Sequence, residues 1–479
     1  MIGAPRVSGD VLRVPLLASF VRWRHARTAL QVPVLGLALL VIYDGFLGPQ
    51  LAPKNLAGVL PWLHWRGLVV LALLLVGNLF CLACPFMLTR RLARRLAKEQ
   101  RPWPKALRHK WLAIGLLVAF FWSYEAFDLW ASPWLTASLA AAYFVGAFVV
   151  DGFFAGAPFC KYLCPIGQFH FVNSLVSPAE VTTRDLGVCR SCSTKDCLKG
   201  RLVDGSWQSG CQLGLFQERK VGNVDCTFCL DCLQACPRDN VTIAVRPPTS
   251  ELWSDPLRSG VGRLSKRIDL SVLALVLVFG AFLNAFGMVP AVHALGSWLA
   301  GLLHTDSEAI VLLVVFALGL GVLPAVSVLA AAAIGRALSG TQDTVLSLAT
   351  RYSYSLVPVG FGMWLAHYSF HFLTGALTIV PVAQSFAADL ALPWLGVPRW
   401  ELGPLMPTPW VLGVELLFLE LGLLGSLLAA YRIAGAHVAD RRRARWASLP
   451  WGALAVALCA MGVWLLLQPM EMRGTLLGG

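Results

Sequence analysis

Twelve of the 13 cysteines in this chain fall between Cys81 and Cys236, and their spacing is the feature of the sequence best suited to chemistry. The tightest run is Cys226-x2-Cys229-x2-Cys232-x3-Cys236-Pro237. Three thiolates spaced in this way hold three corners of one [4Fe-4S] cubane, and the fourth, turned away before proline, ligates a neighbouring cluster. A structural zinc site is the alternative, but zinc ribbons pair two separated C-x2-C knuckles, which this run does not. Upstream, Cys189-x2-Cys192-x4-Cys197 is followed, after 13 residues, by Cys211. Exchange ligation assigns Cys189, Cys192, Cys197 and Cys236 to one cluster and Cys226, Cys229, Cys232 and Cys211 to the other. The x4 spacing and the longer gap leave a [3Fe-4S] form, or one cluster plus zinc, as alternatives for the irregular half.

Two more pairs lie beside apolar runs: Cys81-x2-Cys84-Pro85 ends one, and Cys160-x3-Cys164-Pro165 follows another. Four thiolates at matching depth would form a third metal centre, such as another Fe–S cluster. The plainer alternative is small residues where proline stops a helix. Cys459, alone in an apolar run, reads as a packing residue.

The elements that position these thiols are membrane helices. Hydrophobic residues make up 57% of the 479 and charged residues 14%, a membrane composition. Nine apolar segments reach spanning length: 29–48, 67–86, 111–130, 135–155, 270–290, 309–334, 353–380, 410–431 and 447–468. Trp111, Trp130, Trp410 and Tyr431 near their ends suit the membrane interfaces. The arginines ahead of the first segment resemble a signal sequence, but the apolar run is long and no A-x-A site follows, so it is expected to remain as a span. The expected architecture is an all-α polytopic membrane protein of about nine transmembrane helices with an inserted small α+β cytoplasmic ferredoxin-like two-cluster domain. Its divisions are 1–165, with four spans and both Cys-Pro motifs, 166–266 for the ferredoxin-like domain, and 267–479 with five spans.

The formal charge of +13 lies beside the spans, where it sets orientation and is no nucleic-acid patch. With the N-terminus inside, inside connections hold 25 Lys and Arg against four outside (Lys54, Arg66, Arg399 and Arg473). Arg6, Arg13, Arg22, Arg24 and Arg27 open the inside set. This predicts a bacterial inner membrane protein with the N-terminus and cysteine region cytoplasmic and the C-terminus periplasmic. Cytoplasmic thiols stay reduced, so clustered cysteines there are metal ligands before they are disulfides. The basic stretches at 90–110 and 441–445 read as topology anchors on anionic lipid, with a docking patch for an acidic electron carrier as the alternative.

Within the C-terminal spans, His367 and His371 share one helix face, and Glu415 and Glu420 on the next span are prospective partners. Intramembrane ionisable groups suggest a quinone or proton site; the alternative is helix-to-helix hydrogen bonding or a wet cavity. Bis-histidine haem ligation is disfavoured because no other span holds a central histidine, His293 and His304 falling in an outside connection. Asp128 reads as a solvated span end. Glu125 and Asp151 read as cluster-tuning or proton-carrying groups, or as interhelical hydrogen-bond partners. Gly319-Leu320-Gly321 reads as close helix packing.

Cys-Pro pairs at span ends followed by a two-cluster segment resemble the NapH/NosR/CcoG group of membrane polyferredoxins, over roughly residues 67–245. The resemblance implies electron transfer between a quinol or cytoplasmic donor and a membrane or periplasmic redox partner complex. Its CcoG side also permits a redox maturation or metal-handling factor for another enzyme. The chain departs from the group in the x2 spacing of its first Cys-Pro pair, the stretched first ferredoxin motif and the five C-terminal spans. No flavin-attachment domain is evident before the first span. No Walker loop, dinucleotide fingerprint or hydrolase triad marks a stand-alone enzyme, and no signalling segment supports a redox sensor.

Overall fold

The structure is a computed structural model that describes residues 9–97 and 99–470, without the side chains of Pro393 and Thr408. Arg6, Lys98, Arg473 and the C-terminal end, all used in the charge count, lie outside these residues.

Among the described residues eight helical segments are long and apolar enough to cross a membrane, which makes this a multi-pass membrane protein. In chain order they are Ala26–Leu47, Leu56–Val76, Pro133–Phe153, Ile268–Phe286, Glu308–Ser339, Val345–Asp389, Pro409–His437 and Arg441–Leu466. Helix is the form that satisfies every backbone group in lipid without outside partners. The expected ninth, 111–130, is the helix Trp111–Ala126 of 16 residues. At 1.5 Å per residue it reaches about 24 Å, short of the hydrocarbon thickness; the chain then turns at Asp128, whose φ is +45°.

The second segment corrects the expected 67–86. It starts at Leu56, passes through wider π-type turns at Leu60–Trp65 and ends at Val76, so Arg66 lies inside a span and not in a connection. Gly77, with φ +73°, breaks the helix. The connection expected to carry His293 is itself a helix, Pro290–Leu303. The sixth segment runs 45 residues around a central helix, Val357–Gly375, with tight 3-10 turns at Ser353–Leu356 and Ala376–Thr378.

The chain forms two compact units. One comprises Met1–Leu35, Ala72–Ala113 and Phe144–Leu273; the other comprises Gly36–Leu71, Ile114–Tyr143 and Ala274–Gly479. The first therefore joins both Cys-Pro segments to the cysteine-rich region. Strand β1 (Ala179–Thr183) pairs with residues 241–245 in antiparallel register, Thr183 opposite Val241 and Ala179 opposite Val245. Between them β2 (Arg201–Val203) and β3 (Ser206–Gln208) form a hairpin, and Val241–Val245 is β4. The hairpin turn is Asp204-Gly205 with φ of +46° and +74°, the left-handed pair that matches the twist of a two-residue loop.

The second unit is held by close helix approach. A Cβ on Gly362 would lie 2.7 Å from the Phe418 carbonyl oxygen, and one on Gly422 2.7 Å from that of Pro358. Small residues here allow backbone contact between the sixth and seventh spans. At the start of Val357–Gly375, where helix N–H groups lack intrahelical partners, Val359 N–H donates to Ser426 Oγ at 2.9 Å. Gly319 packs on Leu283 as its sequence context suggests, whereas Gly321 faces open space.

Candidate functional site

The loop from Asp225 to Cys236 curls tightly because Asp225, Phe228 and Leu230 all take positive φ, +60°, +50° and +60°. Non-glycine residues pay about 1–2 kcal/mol each for that conformation, so the surroundings must enforce it. They do: Asp225 accepts a 2.6 Å hydrogen bond from Lys110 Nζ, and the Cys226 carbonyl accepts one of 2.7 Å from Asn78 Nδ2. The curl gathers Cys226, Cys229 and Cys232. Cys232 lies within electrostatic reach of those two and of Cys211, the set expected from exchange ligation.

The second expected set also comes together. Cys197 is within reach of Cys189, Cys192 and Cys236. Cys189 and Cys236, 47 residues apart, meet at one residue: Asn240 donates from Nδ2 to Cys189 Sγ at 3.2 Å and from its backbone N–H to Cys236 Sγ at 3.4 Å. Cys197 is buried, and burial raises its thiol pKa to about 11; the Lys195 N–H and the Thr194 hydroxyl pull the more open Cys192 below the usual range.

The Cys-Pro pairs form a third group. The first sits past the Gly77 break, Cys81 on the short helix Leu79–Ala83 and Cys84 capping it. The second sits on π-type turns at Phe159–Leu163, with Cys164 capping the helix Pro165–Asn173 and its Sγ accepting the Gly167 N–H at 3.3 Å. Cys81 is within reach of Cys84, Cys160 and Cys164, and also of Cys226. Burial, then crowding by the other thiols, pushes Cys81 and Cys164 far up and Cys84 to about 12.

Three buried ion pairs frame these groups. Arg90 donates from Nε to Asp151 at 2.6 Å, from Nη2 to Cys160 Sγ at 2.9 Å and from Nη1 to Gln212 at 3.3 Å. Lys110 Nζ also donates to the Lys161 carbonyl at 2.6 Å. Arg27 pairs with Asp231 at 2.9 Å. Arg90 and Lys110 are 3% and 1% exposed, so these two members of the basic stretch are interior groups and not lipid anchors. The sequence missed their partners, which lie 61 and 115 residues away. It missed Asn240 too, and His170, which is buried, stacked on Phe80 at 5.0 Å and held neutral by burial with a pKa of about 3. Asn240 alone had a local signal, its place four residues after Cys236.

Among the described residues no three His, Cys, Asp or Glu side chains converge on a single ion. In a cubane each thiolate binds a different iron, so four cysteines around it need not meet at one point as zinc ligands do. The donor chemistry suits such a cluster. N–H groups of Gly167, Leu215 and Asn240 point at cysteine sulfurs at 3.3–3.4 Å, and N–H bonds to charged sulfur favour the thiolate. Arg90 offsets part of the negative charge that thiolates here would carry, with its guanidinium 2.9 Å from Cys160 Sγ, and bound iron would offset more.

In the second unit, His367 and His371 are buried with ring centroids 4.9 Å apart. The antiparallel register set by Gly362 and Gly422 brings Glu415, also buried, to the level of His367. Glu420 is exposed on the other side of its helix and stands outside this group. The second span does hold a buried histidine, His64, contrary to expectation. Its Nε2 lies 2.9 Å from the Ala376 carbonyl oxygen, so a backbone acceptor already occupies it. Two residues on, the Arg66 guanidinium sits 4.4 Å from the ring centroid of Trp62, 4.6 Å from that of Tyr124 and 5.2 Å from that of Tyr368.

Glu125 and Asp128 line a cavity of about 420 Å³ in the same unit, with His293 and Glu308. Asp151 bonds Arg90, which bears out its reading as an interhelical partner.

Compared with known proteins, the chain is 28% identical over 109 residues to YccM of Escherichia coli (strain K12), a protein named for a proposed role in electron transport. The stretch covers 22% of this chain and 27% of that relative, so the chain matches about a quarter of the relative's length. No family model matches, and no solved structure matches.

Proposed function

We propose that this chain is a membrane-bound electron-transfer protein of the polyferredoxin kind. In this reading Cys189, Cys192, Cys197 and Cys236 hold one [4Fe-4S] cluster, and Cys211, Cys226, Cys229 and Cys232 hold a second. Cys81, Cys84, Cys160 and Cys164 hold a third Fe–S centre. The clusters would supply one-electron redox chemistry. The protein supplies the thiolates, the N–H groups aimed at them, and the buried cations Arg90 and Lys110 that offset negative charge near the Cys-Pro group and Cys226. The observation that carries the reading is Asn240, bonded to both Cys189 and Cys236, the two sulfurs that exchange ligation pairs across the motifs. The name of the relative in Escherichia coli supports electron transport, and the arginines ahead of the first span favour a cytoplasmic N-terminus at a bacterial inner membrane, with the first Cys-Pro pair, two spans on, on the same side.

The electron donor is a quinol or a cytoplasmic carrier, and the acceptor is a partner redox complex. His367, His371 and Glu415 would receive protons from a quinol, since buried ionisable groups in spans serve such relays. Iron and sulfide analysis with EPR on anaerobically purified protein tests the whole reading. About eight iron and eight sulfide per chain are expected from two clusters and about twelve of each with the third centre. Zinc in their place, or no metal, overturns it.

A further inference from the structure

The 13 residues between Cys197 and Cys211 that stretch the first motif are the β2–β3 hairpin, and its outward face is unlike a loop that merely fills space. Leu202 and Trp207 are cross-strand partners, 69% and 63% exposed. The Trp207 ring lies against Gly200, where a Cβ would stand 2.8 Å from it. The hairpin springs from the thiol groups themselves, because the Cys211 N–H donates to the Cys197 carbonyl at 2.9 Å. Around the same outer thiols stand Arg190, Lys195, Lys199 and Arg238, all exposed. Arg238 reaches Ser191 at 3.4 Å, beside Cys192. The acids nearby offset part of this charge, Glu218 among them, within reach of Cys189. Asp185 caps Gly187 at 2.7 Å, and Asp239 pairs with Arg22 and Arg184. Asp196 is half-buried, and Asp204 stands exposed at the hairpin tip.

We propose that this hairpin and the four cations form the docking face for a small, soluble, acidic electron-carrier protein that exchanges electrons with the Cys189, Cys192, Cys197 and Cys236 centre. An exposed tryptophan with an aliphatic neighbour is the anchor such interfaces use, and the cations steer an acidic partner into place. One electron leaves the reduced carrier, which is oxidised, and arrives at the centre, which is reduced; no bond is made or broken. The inference rests on the cluster reading above.

The probe is an acidic plant-type [2Fe-2S] ferredoxin, with the full-length protein in lipid nanodiscs. Its affinity is measured by titration calorimetry and its electron delivery by stopped flow, beside iron and sulfide content and direct reduction by dithionite. The triple variant Arg190→Glu, Lys195→Glu, Lys199→Glu, and separately the pair Leu202→Ser, Trp207→Ser, are each expected to weaken binding about tenfold or more. Ferredoxin-dependent reduction should slow in step while iron content and dithionite reduction stay unchanged. Wild-type affinity should fall with salt, and that of the triple variant should fall less. Unchanged affinity in iron-replete variants overturns the docking face alone. Absence of iron from the wild type overturns the cluster reading, and the inference with it. Trp207 emission, defined by its loss in Trp207→Phe, should not be quenched by brominated lipid. Quenching would place the hairpin on the membrane and overturn the proposal.

Discussion

In the unit that carries 12 of the 13 cysteines, Arg27, Arg90 and Lys110 are buried against Asp231, Asp151 and Asp225, whereas in the other unit the half-buried Arg66 packs against the faces of Trp62, Tyr124 and Tyr368. The first unit hangs on long-range charge pairs around loops with little regular structure. The second hangs on helix faces that meet through glycine, with Gly362 and Gly422 at the closest approach. The cysteine-bearing region cannot rely on apolar packing alone, because its loops bend into unfavourable backbone conformations at Asp225, Phe228 and Leu230 and need fixed partners. A helical bundle needs only shape.

The contrast can be broken at several points. The largest effect is expected from Cys232→Ala, which should remove a whole centre and lower iron by about four per chain, read by iron analysis and EPR. Next, Arg90→Met strands the Asp151 carboxylate in the interior and should cost about 3–5 kcal/mol in denaturant unfolding. Adding Asp151→Leu should recover most of that loss, because burying neither charge is far cheaper than burying one. If the single and double variants are equally unstable, the pair is not what organises this region. In the second unit Gly422→Ala should cost about 1–3 kcal/mol by overpacking the sixth span, with iron content unchanged. Arg66→Lys keeps the charge but loses the planar stacking, and about 1 kcal/mol of stability is expected to go with it.

The smallest effect is local and depends on pH. Burial pushes the Asp10 carboxyl up, but Arg184 and Thr242 outweigh it and hold the carboxyl below its ordinary 3.8. The attachment of Asp10 beside β4 is therefore fully stabilised above pH 3.8 and is lost as pH falls through the lower folded value. Hydrogen exchange at residues 10–14 should speed up in that window in the wild type and at all pH values in Asp10→Asn.

The cysteine groupings were legible in the sequence because ligand spacing is a local property, and the exchange rule extends it across the motifs. Most span positions were legible for the same reason, since each is a continuous apolar run. Arg66 misled the second span: a cation looks like an end, and only the rings of Tyr124 and Tyr368, distant in sequence, show how it is accommodated. The basic stretch at 90–110 was read as lipid anchors because nothing near Arg90 or Lys110 reveals an acid 61 or 115 residues away. The Trp111–Ala126 helix was overcounted because hydropathy does not register the turn at Asp128 that cuts it short.

Asn240 also carries a consequence for how the chain is made. Synthesis runs from the N-terminus, so the thiols 211, 226, 229 and 232 are complete on the ribosome before Cys236 and Asn240 emerge, although Cys189, Cys192 and Cys197 were made earlier. On the cluster reading, the earliest cysteines of the region would thus be the last to gain their full ligand set, waiting through more than 40 residues of elongation, and oxidant at that stage would reach them first.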